Sequence, residues 1–182
     1  QIHHRILNQN QKTNLMKLYI GIDPGQNGGI AFIPTTGPAW AHKMPETDRD
    51  IIDLLRDSVC MADPVAALEL VHSSPQMGVK SAFTFGHGYG GLEMALVALA
   101  IPFRHVRPQA WQKALGCLTK GDKNVSKRRA QELFPKLKVT HAIADALLIA
   151  EFNRLTHQNL QLLKQNEALQ KRLMRKLERL KR

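Results

Sequence analysis

Three acidic side chains sit in stretches of this sequence that otherwise look like core. Asp23 closes the apolar run LYIGI, Glu69 is the one charge inside VAALELV (65–71), and Asp145 interrupts HAIADALLIA (141–150). A lone carboxylate in an apolar element is costly unless it is paired or binds a cation. Singly, the acids have plainer explanations: Asp23 before Pro24-Gly25 fits a turn, and Asp145 fits a cap or an ion pair. Glu69 is the awkward one, since buried Glu without a partner is rare. His141 alone would pass as a core or capping histidine, but it precedes Asp145 by four residues and so shares its helical face. Together these residues point to one site. Hard oxygen donors of this kind suit Mg2+ or Mn2+, with substrate phosphate and water completing the coordination.

The elements that must position them can be read from hydrophobic period and turn chemistry. Residues 1–15 are polar and aperiodic, a flexible lead-in by expectation, and MKLYIGID from Met16 opens the fold. Leu18–Ile22 reads as a strand, Pro24–Gly29 as a turn, and Ile30–Ile33 as the returning strand, with a third strand at Ala39–Lys43. Asp48–Cys60 has helical spacing with Asp48 as cap, and Val65–Val71 has the length of a buried strand. The Gly-rich stretch Ser73–Gly91 reads as loop, Leu92–Ala100 as a helix apolar nearly all round, and Phe103–Val106 as a strand. Helices follow at Pro108–Leu115, at Lys127–Phe134 with Ser126 as cap, and at His141–Thr156, with a basic loop at Lys120–Lys127. Strands followed by alternating helices and strands give an α/β domain over 16–154.

Charge is concentrated. The chain carries 26 Lys+Arg against 15 Asp+Glu, net +11. Residues 104–138 hold net +8 and 151–182 net +6, whereas 1–103 are net −2. Such blocks suit a polyanion. Composition is that of a globular chain, with no apolar run long enough to span a membrane and no secretory signal at the start, so a cytoplasmic, membrane-free setting is expected. Cys60 and Cys117 lack a metal-ligand pattern and read as free thiols.

From residue 155 to 182 the period changes. Leu155, Leu162 and Leu169 repeat at seven, interleaved with Asn159, Asn166, Leu173 and Leu180, until Lys176 breaks the first row and Leu177 takes over. This is a basic helix with a coiled-coil seam, although a solitary basic helix would also produce much of it.

The segments IGIDPGQNGGIAFI, ALELVHSSPQMGVKSAFTFGHGYGGLEMAL, VRPQAWQKALG and THAIADALLIAEF resemble, in order and spacing, the RuvC family of Holliday-junction resolvases, its phage and prophage members above all. The likeness spans about residues 17–153. It implies an RNase H-like fold (a mixed five-stranded sheet flanked by helices), a homodimer, a two-metal active site using Mg2+, and a four-way DNA junction as substrate. Motif by motif, Asp23 matches the first-strand aspartate, Glu69 the fourth-strand glutamate, and Asp145 the last aspartate of the final helix. The family's fourth ligand stands three residues before that aspartate, where this chain has Ala142; His141, one residue further, is the candidate here. The heptad tail has no counterpart in RuvC.

The implied activity is structure-selective endonuclease action in DNA recombination or repair, through paired metal-dependent nicks. Lys113, in WQK, is a candidate for neutralising transition-state charge, though a solvent-facing lysine would look the same. Lys120, Lys123, Lys127, Arg128 and Arg129 suit phosphate contacts. Phe83 and Phe85 could stack on opened bases or belong to the core. Competing readings are another RNase H-like nuclease (transposase-type or an RNA:DNA hydrolase) and a non-catalytic branched-DNA-binding protein.

Overall fold

The computed structural model describes residues 15–180 apart from 75 and 120, with side chains through residue 175. Three antiparallel strands lead: β1 (Met16–Asp23), β2 (Gly29–Pro34) and β3 (Trp40–Lys43). After α1 (Asp48–Val59), β4 (Ala62–Glu69) returns parallel to β1, pairing Ile22 with Leu68. α2 (Val79–Ala98) then leads to β5 (Phe103–Val106), parallel to β4. The sheet order is β3-β2-β1-β4-β5, so β1 and β4 lie at its centre and both end on an acid. Helices α3 (Pro108–Ala114), α4 (Lys123–Leu133) and α5 (His141–Leu180) complete the chain.

The helices divide between the two faces. Leu18, Ile20 and Ile22 pack with Ile51 and Leu55 of α1 and Leu92 and Leu96 of α2. On the other face Tyr19 packs with Trp111 of α3, Ala130 of α4 and Ala146 to Ala150 of α5. The strand period of two therefore sends Asp23, four residues on from Tyr19, towards the α5 face.

α5 lies directly on the β1 backbone. A Cβ on Gly21 would overlap Ala146 O and Ala150 N, so only glycine allows this approach. Asn153, fully buried, donates from Nδ2 to Ile20 O (3.3 Å) and Val65 O (2.9 Å). His157 meets Tyr19 edge-on at 5.6 Å. As α5 advances its partners on β1 recede towards Met16, so the two elements run antiparallel. From Asn159 to Arg175 every residue is exposed.

Several expectations change. Residues 79–91, read as loop from their glycines, are the first two-thirds of α2, because helical context overrides the low propensity of Gly86, Gly88, Gly90 and Gly91. The later part of that helix is not buried all round: Met94 and Val97 face outward. Thr47, not Asp48, caps α1, accepting from Asp50 N. Asp122, not Ser126, caps α4, which starts at Lys123, so that Ser126 lies inside the helix and is buried. The helix at 141–156 and the heptad tail form one 40-residue helix, α5. All of the expected lead-in except Leu15 falls outside the described residues, as does Lys120. Among the described residues no helix is long and apolar enough to cross a membrane.

Candidate active site

The ends of β1 and β4 and the first turns of α5 meet at one pole of the sheet. Asp23 terminates β1, and the turn after it is tight: Gly28 N donates to Gly25 O (3.0 Å), and a Cβ on Gly28 would collide with the Asp23 carbonyl. Glu69 terminates β4, largely buried, with Oε1 accepting from Trp111 Nε1 at 2.8 Å. Asp145 lies one turn into α5, its Oδ1 buried without a hydrogen-bond partner.

The electrostatics show that these carboxyls share one environment. Burial pushes Asp23 up to about 8, and the negative fields of Glu69 and then Asp145 add to it, while Lys123 acts in the opposite sense. Burial likewise raises Glu69 to about 7; the Trp111 hydrogen bond opposes this and the Asp145 charge reinforces it. Asp145 is raised by burial, with the Ser126 hydroxyl, Lys123 and His141 favouring its ionised form. Three acids drawn from three elements thus resist ionising together, the condition a bound cation relieves.

The donor set fits a divalent metal in chemistry: carboxylate oxygens, one of them buried without a hydrogen-bond partner, and an imidazole four residues away on the same helix face. The side chains are not closed on a point. Among the described residues no group of three His, Cys, Asp or Glu is arranged to hold an ion.

Of the remaining candidates, His141 opens α5 and acts electrostatically on Asp145. Lys113 is exposed on α3 and is not among the charges acting on the acids; the lysine whose field reaches both Asp23 and Asp145 is Lys123, at the start of α4. Lys127 and Arg128 face a shallow surface groove with Asn124 and Gln131, whereas Arg129 is tied down by Leu115 O (3.0 Å) and Glu132 (3.1 Å). Phe83 and Phe85, two positions apart on α2, face different ways. Phe85 is half-buried, close to Gly25 in the turn after Asp23, and Phe83 is exposed. Sequence reasoning missed Trp111 and Ser126. Trp111 had a signal, a polar ring nitrogen at a core position; Ser126 had none beyond its place in a basic stretch.

No protein-family model matches the chain, and no curated protein matches it either. Among solved structures, Thermus thermophilus RuvC aligns with a TM-score of 0.50 at 20% identity, covering 73% of this chain and 90% of RuvC. The structure of T. thermophilus RuvC in complex with a Holliday junction substrate aligns at 0.50 and 19%, covering 74% and 90%. The fold is RuvC-like. The five-stranded mixed sheet with flanking helices is the RNase H-like arrangement that the sequence motifs imply.

Proposed function

We propose that this chain is a structure-selective DNA endonuclease that resolves four-way junctions by paired metal-dependent nicks, acting as a homodimer in the cytoplasm. The observation that carries the proposal is the convergence of Asp23, Glu69 and Asp145 at the strand-end pole of a RuvC-like fold, where burial raises all three acids and the charges of Glu69 and Asp145 add to the shift of Asp23. The neighbour in fold, T. thermophilus RuvC, is described with a Holliday junction substrate.

Asp23, Glu69, Asp145 and His141 would hold the metal. Mg2+, or Mn2+ in its place, two ions per site, would supply the Lewis acidity for attack of water on the scissile phosphate. Hydrolysis breaks the P–O3′ bond and leaves 5′-phosphate and 3′-hydroxyl ends. The protein's own part is placement. Trp111 orients Glu69 through its Nε1–H and favours the ionised carboxylate. Asp23, which feels the charges of both Glu69 and Asp145, would be a ligand to the metal. Lys123, whose positive field reaches Asp23 and Asp145, would neutralise charge growing on the phosphate, the role the sequence suggested for Lys113.

Lys127 and Arg128 extend that positive surface along α4 for the DNA backbone. Phe85, next to the turn after Asp23, is the aromatic suited to stack on a base opened at the junction. Phe83 belongs to a different surface. Val79, Phe83, Met94 and Val97 are 60–89% exposed and recur at helical spacing, with Gly86 and Gly90 between them. A contiguous apolar stripe of this kind fits a second copy across a two-fold axis, which would hold two sites in fixed relation for paired nicks.

The test is incubation with a synthetic four-way junction, a linear duplex and an RNA:DNA hybrid, with Mg2+ and with chelator. Symmetric nicks confined to the junction and dependent on Mg2+ are expected, and Asp23→Asn should bind the junction without cutting it. Preferential cutting of the hybrid would favour an RNA:DNA hydrolase, and binding without Mg2+-dependent cutting would end the enzyme reading.

A further inference from the structure

α5 does not stop where the sheet ends. Its first half runs antiparallel to β1, from Ala142 beside Gly29, past Gly21, to His157 against Tyr19. It therefore leaves the domain at the Met16 end of β1, opposite the acids. Eight strand residues place that exit about 25 Å from Asp23. The helix from Gln158 to Leu180 extends about 33 Å further. The arm thus projects from the end of the domain opposite the acids, at distances where charge is largely screened.

The arm is nevertheless built to be covered. Leu155 packs into the core of the domain, so the free seam starts at Asn159 and continues through Leu162, Asn166, Leu169 and Leu173. Leu162, Leu169 and Leu173 are 57–64% exposed. Between Asn159 and Leu173 no cation occupies a core position: Lys164 and Lys171 take the outermost heptad positions, Arg172 flanks the seam, and Lys176 ends the Leu162/Leu169 row. In a parallel pair the residues facing each other beside the seam are Gln158 with Leu163, Gln165 with Gln170 and Arg172 with Leu177, so no like charges are directly opposed. The alternative seam through Leu160, Leu163 and Met174 would bury Glu167 and Gln170 instead. Asn at two core positions is the device that favours two parallel strands in one register.

We infer that the α5 arm pairs with the arm of a second copy of this chain as a parallel, two-stranded coiled coil, through Asn159, Leu162, Asn166, Leu169 and Leu173. The basic outer face remains open to solvent and anions. α2 and α5 lie on opposite faces of the sheet, so this interface is separate from the α2 stripe, and pairing through both would join dimers into a larger assembly.

The experiment measures the mass of the full chain by sedimentation equilibrium at moderate salt without DNA, which keeps the outcome independent of the nuclease reading. Leu162→Glu with Leu169→Glu should halve the mass and weaken self-association at least tenfold. Both positions are exposed, and Gln161→Glu, also exposed but off the seam, should leave the mass unchanged. In a Cys60→Ser background, Asn166→Cys should cross-link two copies on mild oxidation and Lys171→Cys should not. An unchanged mass for the Leu162/Leu169 variant overturns the inference. So does cross-linking at 171 in preference to 166. If that variant keeps its mass while Lys164→Ala with Lys171→Ala weakens junction binding, the arm is a DNA-binding element instead.

Discussion

Replacing Asp23 by Asn should make the metal-free protein more stable, and increasingly so as pH rises. In the folded chain the Asp23 carboxyl gives up its proton only near pH 8, against about 3.8 for an ordinary aspartate, chiefly because it is buried and secondarily because Glu69 and Asp145 oppose its charge. Between those two values the unfolded chain has lost the proton and the folded chain has kept it. Stability must then fall as pH rises from about 4 to about 8 and level off above. Each pH unit of that interval is worth about 1.4 kcal/mol, which sets a ceiling near 5–6 kcal/mol. Asp23 retains some contact with water and shares the penalty with two neighbours, so about 2–4 kcal/mol is expected at about pH 8 and about 1 kcal/mol at about pH 5. The amide keeps the shape and never ionises. The assay is urea unfolding of parent and Asp23→Asn in chelator at both pH values, repeated with Mg2+. Cation binding to the folded parent should narrow the gap by RT ln(1 + [Mg2+]/Kd). Stability–pH curves for the two proteins that run parallel would refute the shared-field description of the site.

Trp111→Phe keeps most of the buried ring and deletes the donor to Glu69, so the acid limb of the nicking pH profile should move up by about one pH unit; an unmoved profile would reduce Trp111 to packing. Gly21→Ala drives a methyl into the α5 backbone and should cost more than about 4 kcal/mol or abolish folding, read by urea unfolding. Lys127→Ala with Arg128→Ala should weaken binding to junction and duplex alike and lower the salt slope of log affinity by about one for each phosphate no longer neutralised. An unchanged slope would move the DNA surface elsewhere.

The acids were legible because each is a charge where burial demands none, and burial is what the hydrophobic pattern encodes. The central strands were legible for the same reason. α2 was harder. Its glycines dominate local propensity, while the period that betrays the helix, Val79, Phe83, Met94 and Val97, spans nineteen residues and contributes to a surface rather than a core. Helix starts were misplaced where neighbouring residues can each cap: Thr47-Asp48 offers two acceptors, and DKNVS (122–126) offers three. That the field of Lys123 rather than Lys113 reaches Asp23 and Asp145 needed the tertiary structure, since no local pattern tells which of two helices, α3 or α4, turns its lysine towards the acids.

The unbroken length of α5 couples the site to the arm. Asp145 reaches the strand-end acids only because α5 is pressed onto β1 at Gly21 and anchored by Asn153 to the carbonyls of Ile20 and Val65. The same anchoring fixes the direction in which the arm departs, so the site and the arm are opposite ends of one rigid element. The acids are costly to assemble, as their raised pKa values record, and the packing of α5 on β1 and β4 supplies the stability that offsets that cost. An α5 that rocked on Gly21 would separate Asp145 from Asp23 and relieve their repulsion. The close glycine contact and the double hydrogen bond of Asn153 oppose that movement, and so they hold Asp145 at the strand ends in spite of the repulsion.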